Sequence, residues 1–216
     1  MNICVIPARG GSQRILQKNV KPFFGKPIIA YSIEAAKQSG LFDRIVVSTD
    51  DLAIKLIALH YGAEVWMRDP RFGADDVGTQ DVVKECLKGM QIKYDSMVCC
   101  LYATAPLMSL YDLRHGFYVA CGKSAYTYVM SVGYSPLQDA GQFYWGQQRA
   151  FVSGTPLINV ETRMIHVDAS RVCDINTPED WVRAEQMFIE LQDADKNRRE
   201  EAARLIRMMR FDNAHH

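Results

Sequence analysis

The chain has neither a net charge nor an apolar segment long enough to cross a membrane. Lysine and arginine together number 25, and so do aspartate and glutamate, which gives a formal net charge of zero. A protein that binds nucleic acid mainly through phosphates would normally be basic, so we expect no nucleic-acid partner. The longest apolar stretch, 97–108, includes Thr104 and Pro106 and falls short of the ~20 residues that a membrane helix needs. We therefore also expect no membrane partner.

Cysteine motifs and a recognisable export signal are missing too. The six cysteines contain no CxxC pair and no spacing typical of a metal site; they are Cys4, Cys86, Cys99, Cys100, Cys121 and Cys173. We expect reduced thiols rather than disulfides or metal ligands. No basic segment precedes the apolar residues 3–8, which argues against a secretory signal. With 48% hydrophobic and 23% charged residues, the 216 residues are expected to form a single globular domain in the cytoplasm.

The first part of the chain alternates between strand and helix patterns. Strands are predicted at 2–8, 45–49, 64–67, 96–102 and 125–132, and helices at 27–39, 51–61, 79–90 and 110–122. Asp50 or Asp51 is expected to cap the second of these helices, and Ser109 the fourth. This alternation is typical of an α/β fold with a mostly parallel sheet and helices on both faces. A ligand should then bind at the carboxyl ends of the strands, which are 7–9, 49–51, 68, 102–106 and 131.

The second part is less regular. GQFYW, 141–145, predicts an aromatic strand or hairpin arm, and 164–168 predicts a final strand. Thr177 is expected to cap a long helix that begins with PEDW. The charged tail 194–210 fits either a solvated helix with one packed stripe or a partner-binding segment, and its composition favours the first. His60 and His115 are expected to be packing or surface residues rather than ligands.

The segment after the first strand combines glycines and cations. It reads IPARGGSQRILQKNV, 6–20, and its two glycines, Gly10 and Gly11, would leave backbone N–H groups open to an anion. Arg9, Arg14 and Lys18 add three positive charges close by, which suits a triphosphate. A glycine turn flanked by surface charges is the alternative interpretation.

Together with GKPIIAYSIEAA, 25–36, and STDD, 48–51, this segment resembles the cytidylyltransferases that activate nine-carbon acidic sugars, namely the CMP-sialic acid synthetases and their relatives. Within that family, DAGQFYW, 139–145, is similar to the branch that activates pseudaminic acid. The resemblance implies a three-layer Rossmann-like nucleotide-diphospho-sugar transferase fold. It also implies transfer of CMP from CTP to the anomeric hydroxyl of the sugar, with Mg²⁺ as cofactor and pyrophosphate as product. Sialic, legionaminic or another ulosonic acid is an alternative substrate.

The resemblance further implies roles for individual residues. CTP would be bound by Arg9, Gly10, Gly11, Ser12, Arg14, Lys18 and Asn19, with Arg68 and Thr79 reading the cytosine. The sugar would be bound by Tyr102, Ala103 and Thr104 in the loop 102–106 and by Asp139, Gln142 and Tyr144 in the branch signature. The metal would be bound by Asp174 and Asn176, which lie on one side of an extended segment. Catalysis would depend on Arg9, Arg14, Lys18 and Asp174.

Three positions depart from the family pattern. Gln13 stands where the family usually has lysine, Ala103 where it has proline, and Asn176 where it has a second aspartate. Gln13 and Asn176 motivate a further hypothesis, a nucleotide-binding homologue without turnover. The retained cations and Asp174 argue against that hypothesis.

The family also carries a dimerisation arm that this sequence lacks. SVGYSPLQ, 131–138, and DAGQFYW resemble the two flanks of the arm, yet Gln138 is followed directly by Asp139. Either the protein has lost the arm or the sequence omits it, and the intact flanks favour omission. We expect a homodimer in which both flanks lie near the two-fold axis and GQFYW contributes exposed aromatic side chains.

Overall fold

The computed structural model describes residues 1–74, 77–122, 126–133 and 138–212, with side chains described up to residue 203. The strands are β1 (Asn2–Pro7), β2 (Pro22–Phe23), β3 (Lys26–Pro27), β4 (Arg44–Thr49), β5 (Glu64–Met67), β6 (Met97–Leu101), β7 (Tyr128–Val132), β8 (Asp139–Gln147) and β9 (Thr162–His166). The helices are α1 (Ile28–Ser39), α2 (Leu52–His60), α3 (Thr79–Gly89), α4 (Leu110–Ala120), α5 (Gln148–Ser153) and α6 (Pro178–Asp212). Within these ranges no helix is both long and apolar enough to cross a bilayer.

Seven strands form the main sheet in the order β5-β4-β1-β6-β8-β7-β9. All neighbouring pairs are parallel except those of β8, which runs antiparallel to both β6 and β7. Strands β2 and β3 form a separate antiparallel pair. The mostly parallel α/β sheet predicted from the alternating sequence pattern is therefore confirmed.

Apolar side chains pack on both faces of the sheet. Helices α1, α2 and α4 cover one face, where Ile33, Ala58 and Leu113 join a cluster of buried side chains. Helices α3 and α5 cover the other face through Leu87 and Phe151. Because side chains alternate along a strand, β6 contributes to both layers. The six cysteines are free thiols, and all except one of them are buried.

A third apolar cluster attaches the beginning of α6 to the domain. Phe23, at the end of β2, is fully buried and meets the rings of Tyr31, Trp181 and Phe188 edge-on. Aromatic pairs in this arrangement add stability beyond the apolar area that they bury. Farther along α6, most of the described side chains from 194 to 203 are exposed, as the first interpretation of the charged tail expects.

Most helix starts agree with the capping residues read from the sequence. Asp51 caps α2 by accepting a hydrogen bond from the Ile54 amide at 2.9 Å, and Ser109 caps α4 through the Asp112 amide at 3.0 Å. The prediction missed α5 and the β2–β3 pair, which are too short for a periodic pattern. It also placed the final strand at 164–168, whereas β9 spans Thr162–His166. Ala125, in the predicted strand before β7, lies outside the described residues.

The expectation of exposed aromatics in GQFYW is wrong. Phe143 and Trp145 are 0% exposed and Tyr144 is 4% exposed. The strand itself was predicted, but β8 lies between β6 and β7 with helices on both faces. These aromatic side chains therefore belong to the core and are unavailable to a second subunit.

The two flanks of the expected arm meet in a hairpin. The Gly133 amide donates to the Gln138 carbonyl at 2.9 Å, and Val132 pairs with Asp139 at the start of β8. Residues 134–137, which belong to the first flank, lie outside the described residues. The chain therefore passes from β7 to β8 at the point where the family arm was expected.

A glycine on α4 allows that helix to approach β8. A Cβ at Gly116 would lie 2.7 Å from the Phe143 ring and 3.0 Å from the Trp145 ring. We expect Gly116→Ala to lower the free energy of unfolding by about 1–3 kcal/mol, because the buried rings would have to move. Urea denaturation measures this loss. Gly11→Ala is the matched control, because its Cβ would meet nothing within 4 Å. Equal stability of the two variants would contradict the close packing of α4.

Candidate active site

A cleft of about 460 Å³ opens at the carboxyl ends of β1, β5 and β6. Its wall includes most of the predicted nucleotide residues and part of the predicted sugar loop: Arg9, Ser12, Arg14, Lys18, Asn19, Arg68, Thr79, Tyr102, Ala103, Thr104 and Asn176. Gln13, Phe72, Ala74, Val77 and Val82 also line it and were not assigned to the site from the sequence. The cleft lies at the edge of the sheet where parallel α/β folds bind their ligands.

The glycine loop is held from within the protein. The Gly10 amide donates to Asp50 Oδ1 at 3.0 Å, and Asn19 Nδ2 donates to the Arg9 carbonyl at 2.9 Å. A Cβ at Gly10 would lie 2.8 Å from the Asp51 Cβ, so this position requires glycine. The expectation of an open amide at Gly10 is wrong, because this amide already donates a hydrogen bond to the Asp50 carboxylate.

Lys18 connects the glycine loop with the predicted metal segment. Its Nζ donates to the Ile175 carbonyl at 2.5 Å, between Asp174 and Asn176 in sequence. Burial lowers the pKa of Lys18, and the nearby guanidinium groups of Arg14 and Arg9 lower it further, while the Asp174 carboxylate opposes them. Two segments far apart in sequence are thereby held on the same side of the cleft.

Asp174 and Asn176 lie side by side. Asn176 Nδ2 donates to Asp174 Oδ2 at 2.6 Å, so both side chains are on the same side of the segment, as the spacing predicted. Asn176 lines the cleft, whereas the exposed Asp174 lies in the loop between Arg171 and Pro178 rather than directly at a strand end. The amide nitrogen faces the carboxylate, and the amide must turn over before its oxygen can join Asp174 at one ion.

The backbone of this segment is fixed by the start of α6. Asp180 Oδ2 accepts the amides of Asn176 at 3.0 Å and Thr177 at 2.9 Å, and Thr177 Oγ1 accepts the Asp180 amide at 3.2 Å. Such reciprocal bonds satisfy amides at the helix N-terminus. The helix cap that stabilises α6 thus also positions Asn176.

Arg68 is buried beside a carboxylate at the opposite wall of the cleft. It is 5% exposed, and its Nη2 lies 3.4 Å from Asp50 Oδ1. Burial lowers the pKa of Arg68, and the Asp50 carboxylate raises it. Among the described residues, its Nε has no hydrogen-bond partner. A buried guanidinium with a free donor is chemically suited to a polar ligand group.

Three side chains form a hydrogen-bonded group behind the sugar-side loop. The Tyr102 hydroxyl donates to Asp139 Oδ2 at 3.3 Å, and the Tyr144 hydroxyl contacts both Tyr102 and Asp139. Burial raises the pKa of Asp139, although these hydroxyls and the Gly141 amide favour its charged form. Only Tyr102 of the three lines the cleft, so Asp139 and Tyr144 reach a ligand there through its hydroxyl.

Gln142 is placed differently from the sequence-based expectation. It is 2% exposed, and its Nε2 donates to the Arg171 carbonyl at 2.7 Å. Its side chain supports the loop before Asp174 and is not part of the cleft wall. The carbonyl of the same residue accepts the Tyr102 amide at 2.9 Å, which holds the sugar-side loop against β8.

The cleft therefore brings cations together with hydroxyl, amide and carboxylate groups. Arg9, Arg14 and Lys18 can compensate the charge of a polyphosphate, because each carries a positive charge on the same loop. The Tyr102 hydroxyl and Asn176 also line the wall, and the bond from Lys18 to the Ile175 carbonyl holds the Asp174–Asn176 pair beside the cations. The arrangement suits a reaction between a nucleoside triphosphate and a second, hydroxyl-bearing substrate.

Comparison with known proteins gives a family match and relatives of similar sequence. A family model described as cytidylyltransferase matches residues 3–131. The pseudaminic acid cytidylyltransferase of Campylobacter jejuni subsp. jejuni serotype O:23/36 (strain 81-176) is 35% identical over 223 residues, covering 87% of this chain and 96% of that protein. The CMP-N,N'-diacetyllegionaminic acid synthase of Legionella pneumophila is 39% identical over 120 residues, covering 52% of this chain and 50% of that protein.

Solved structures show the same fold at lower sequence identity. The CMP:2-keto-3-deoxy-manno-octonic acid synthetase, solved in complex with CTP, superimposes with a TM-score of 0.71 and 16% identity. The match covers 88% of this chain and 98% of that protein. This likeness supports the three-layer α/β architecture.

Proposed function

This chain belongs to the cytidylyltransferase family, and from that membership we propose that it transfers CMP from CTP to the anomeric hydroxyl of a nine-carbon acidic sugar. Pseudaminic acid is the substrate that we propose first. The observation that carries this proposal is the cleft that joins a cation-rich glycine loop to a hydroxyl-bearing loop at the carboxyl edge of the sheet. The name of the Campylobacter relative supports the choice of sugar.

On the nucleotide side, we propose that the triphosphate lies along the glycine loop with the base toward Arg68 and Thr79. The sugar hydroxyl attacks the α-phosphorus, and the bond to pyrophosphate breaks. Arg9, Arg14 and Lys18 stabilise the charge that develops on the departing pyrophosphate. Gly11 and Ser12 contribute to the loop, whereas the Gly10 amide serves to hold the loop to Asp50. No covalent intermediate with the protein is required.

On the sugar side, we propose that Tyr102 is the substrate-facing member of its hydrogen-bonded group. Its hydroxyl donates toward Asp139, which leaves the oxygen lone pairs available to a sugar hydroxyl. Tyr144 and Asp139 then fix the orientation of Tyr102 rather than contacting the sugar directly. Ala103 and Thr104 complete the wall beside it.

For the metal, we propose that Asp174 and Asn176 are the protein ligands of Mg²⁺. The donor set fits, because the two side chains touch and supply carboxylate and amide oxygens, which are the ligand types that magnesium accepts. A bound Mg²⁺ would neutralise phosphate charge and favour the ionised form of the attacking hydroxyl. Lys18 holds the backbone between the two ligands and thereby keeps them at the cleft.

An activity panel tests the proposed function. CTP, Mg²⁺ and one nine-carbon acid at a time are supplied, and pyrophosphate release is followed. We expect turnover with pseudaminic acid to exceed that with sialic and legionaminic acids. Faster turnover with either alternative would transfer the assignment to that sugar. CTP binding without pyrophosphate release from any sugar would favour a nucleotide-binding homologue without turnover.

We also propose that the chain forms a homodimer, with the β7–β8 hairpin near the two-fold axis. The alignment with the Campylobacter protein spans 223 positions although it covers only 87% of these 216 residues, so that relative has residues without a counterpart here. We assign them to an arm inserted between residues 138 and 139 of the single domain. Light scattering at micromolar concentration should give twice the mass of one chain. A monomer, with the arm restored, would contradict the proposal.

We propose the cytoplasm as the compartment of the reaction. The six free cysteines support a reducing environment, because buried thiols survive there without pairing.

A further inference from the structure

We propose that Asp50 is a positioning residue that holds the two walls of the nucleotide cleft in a fixed position relative to each other. The inference rests on the proposed function, since it concerns how the site for CTP is built. Asp50 lies at the carboxyl end of β4, outside the set of residues assigned to nucleotide, sugar or metal. Its carboxylate lies between the glycine loop and the wall that carries Arg68.

One oxygen of this carboxylate serves both walls. Asp50 Oδ1 accepts the Gly10 amide at 3.0 Å and lies 3.4 Å from Arg68 Nη2. The other oxygen approaches the turn that leads to the cleft residues Phe72 and Ala74, because a Cβ at Gly73 would lie 2.2 Å from Asp50 Oδ2. Three segments of the cleft, which are not adjacent in sequence, therefore converge on a single side chain.

The charge of Asp50 explains how Arg68 can be buried in the cleft wall. Arg68 has 2% of its side chain exposed, and a buried cation without a counterion is strongly disfavoured. With Nη2 directed to Asp50, the guanidinium is fixed in position while its Nε remains without a partner among the described residues. With the base placed toward Arg68 as proposed, a guanidinium donor there would favour cytosine, whose N3 accepts a hydrogen bond, over uracil, whose N3 donates one.

The expected signature is a joint loss of phosphate affinity and base preference. Calorimetric titration uses CTP, UTP and inorganic tripolyphosphate as separate probes. Arg68→Gln should reduce the preference for CTP over UTP and leave tripolyphosphate affinity within about twofold of the original. Asp50→Ala should reduce the same preference and also weaken tripolyphosphate binding about tenfold, because the glycine loop loses the acceptor that fixes its position and this loss outweighs the removal of a negative charge. Asp50→Glu should restore part of the preference for CTP over UTP and part of the affinity for tripolyphosphate.

Asp69→Ala is the matched control. It removes the same charge beside Arg68, but its carboxylate binds the exposed Arg71 through the backbone amide at 2.9 Å and the guanidinium at 2.8 Å. We expect the affinity for tripolyphosphate and the preference for CTP over UTP to stay within about twofold of the original values. Equal effects of Asp50→Ala and Asp69→Ala would show a general loss of negative charge and would overturn the proposal.

A double variant covers the case in which Asp50→Ala does not fold. Asp50→Ala with Arg68→Gln removes the buried cation together with its partner, so no unpaired charge is left in the wall. Tripolyphosphate should bind about tenfold more weakly to it than to Arg68→Gln alone. Equal affinities would overturn the proposal. If the original protein binds neither CTP nor tripolyphosphate, the proposed function fails instead, so the two failures are distinct.

Discussion

Asp174→Ala should abolish turnover and leave the fold intact. Asp174 is exposed, and its carboxylate binds only the neighbouring Asn176 amide among the hydrogen bonds of the described residues. Among these hydrogen bonds, the substitution therefore removes a single exposed one. It does remove the only full negative charge of the proposed ligand pair, and magnesium binds carboxylate and phosphate oxygens preferentially. Steady-state pyrophosphate release, together with a thermal unfolding curve, measures both halves of the prediction.

Asn176→Asp provides the complementary change. It adds a second carboxylate beside the ion, so half-maximal activity should require less Mg²⁺ than in the original protein. The original amide must also break its bond to Asp174 before it can present oxygen, which predicts weak metal binding without nucleotide. Asp168→Ala is a suitable control, because this exposed carboxylate caps a short turn through the Ser170 amide at 2.9 Å.

The magnesium titration separates the proposed site from other locations. If Asp174→Ala retains both turnover and the original Mg²⁺ dependence, the ion is bound elsewhere and the assignment of the segment 173–176 is wrong. Loss of the folded state in Asp174→Ala would contradict the structural half of the prediction. The Asn176→Asp titration would then still test the ligand assignment.

Lys18→Ala and Arg9→Ala should each lower kcat/KM by about tenfold or more, which corresponds to about 1.4 kcal/mol or more of transition-state stabilisation. Both side chains line the cleft, and both would face the phosphates. For Lys18 the loss has a second source, since its bond to the Ile175 carbonyl positions the segment that we propose binds the metal. Near-original rates in both variants would contradict the placement of CTP along the glycine loop.

The pH dependence identifies the contribution of Lys18 more directly. Burial lowers its pKa below the ordinary value of 10.5, so the ammonium loses its proton at a lower pH than an exposed lysine would. Affinity for CTP should therefore decline on the alkaline side before pH 10.5 is reached. Lys18→Arg keeps its charge throughout this range and should remove that decline. An unchanged alkaline limb would assign the titration to another group.

Local patterns in the sequence were sufficient for most of the fold. The strand pattern of β6 and the capping residues Asp51 and Ser109 depend on neighbours within a few positions, and the structure confirms them. The burial of GQFYW was not predictable in the same way. It follows from the insertion of β8 between two strands, and that pairing joins residues far apart in the chain.

In the candidate site, too, local sequence patterns predicted some features, while others depend on contacts between residues far apart in the chain. The glycine–cation segment and the ends of the strands brought most of the cleft residues together from sequence alone. The sequence pattern indicated Asp50 only as a strand-end residue, as part of STDD and as an alternative helix cap, because its role depends on where Gly10 and Arg68 lie in space. An aspartate directly after a strand at the binding edge was the available signal. The assignment of Gln142 to the sugar was wrong for a related reason. Its burial against the Arg171 carbonyl depends on a contact distant in sequence, which no local pattern indicates.

The bond between Lys18 and the Ile175 carbonyl has a consequence for the chain as it is synthesised. The two residues are 157 positions apart, so the glycine loop leaves the ribosome long before the segment that completes the cleft. A nascent chain that ends at β9 can form the early strands, yet it lacks the Ile175 carbonyl that Lys18 contacts and the residues 174–176. A ligand stabilises only a state that binds it. Any stabilisation by nucleotide that depends on this contact is therefore available only after residue 175 has been synthesised and has reached the glycine loop.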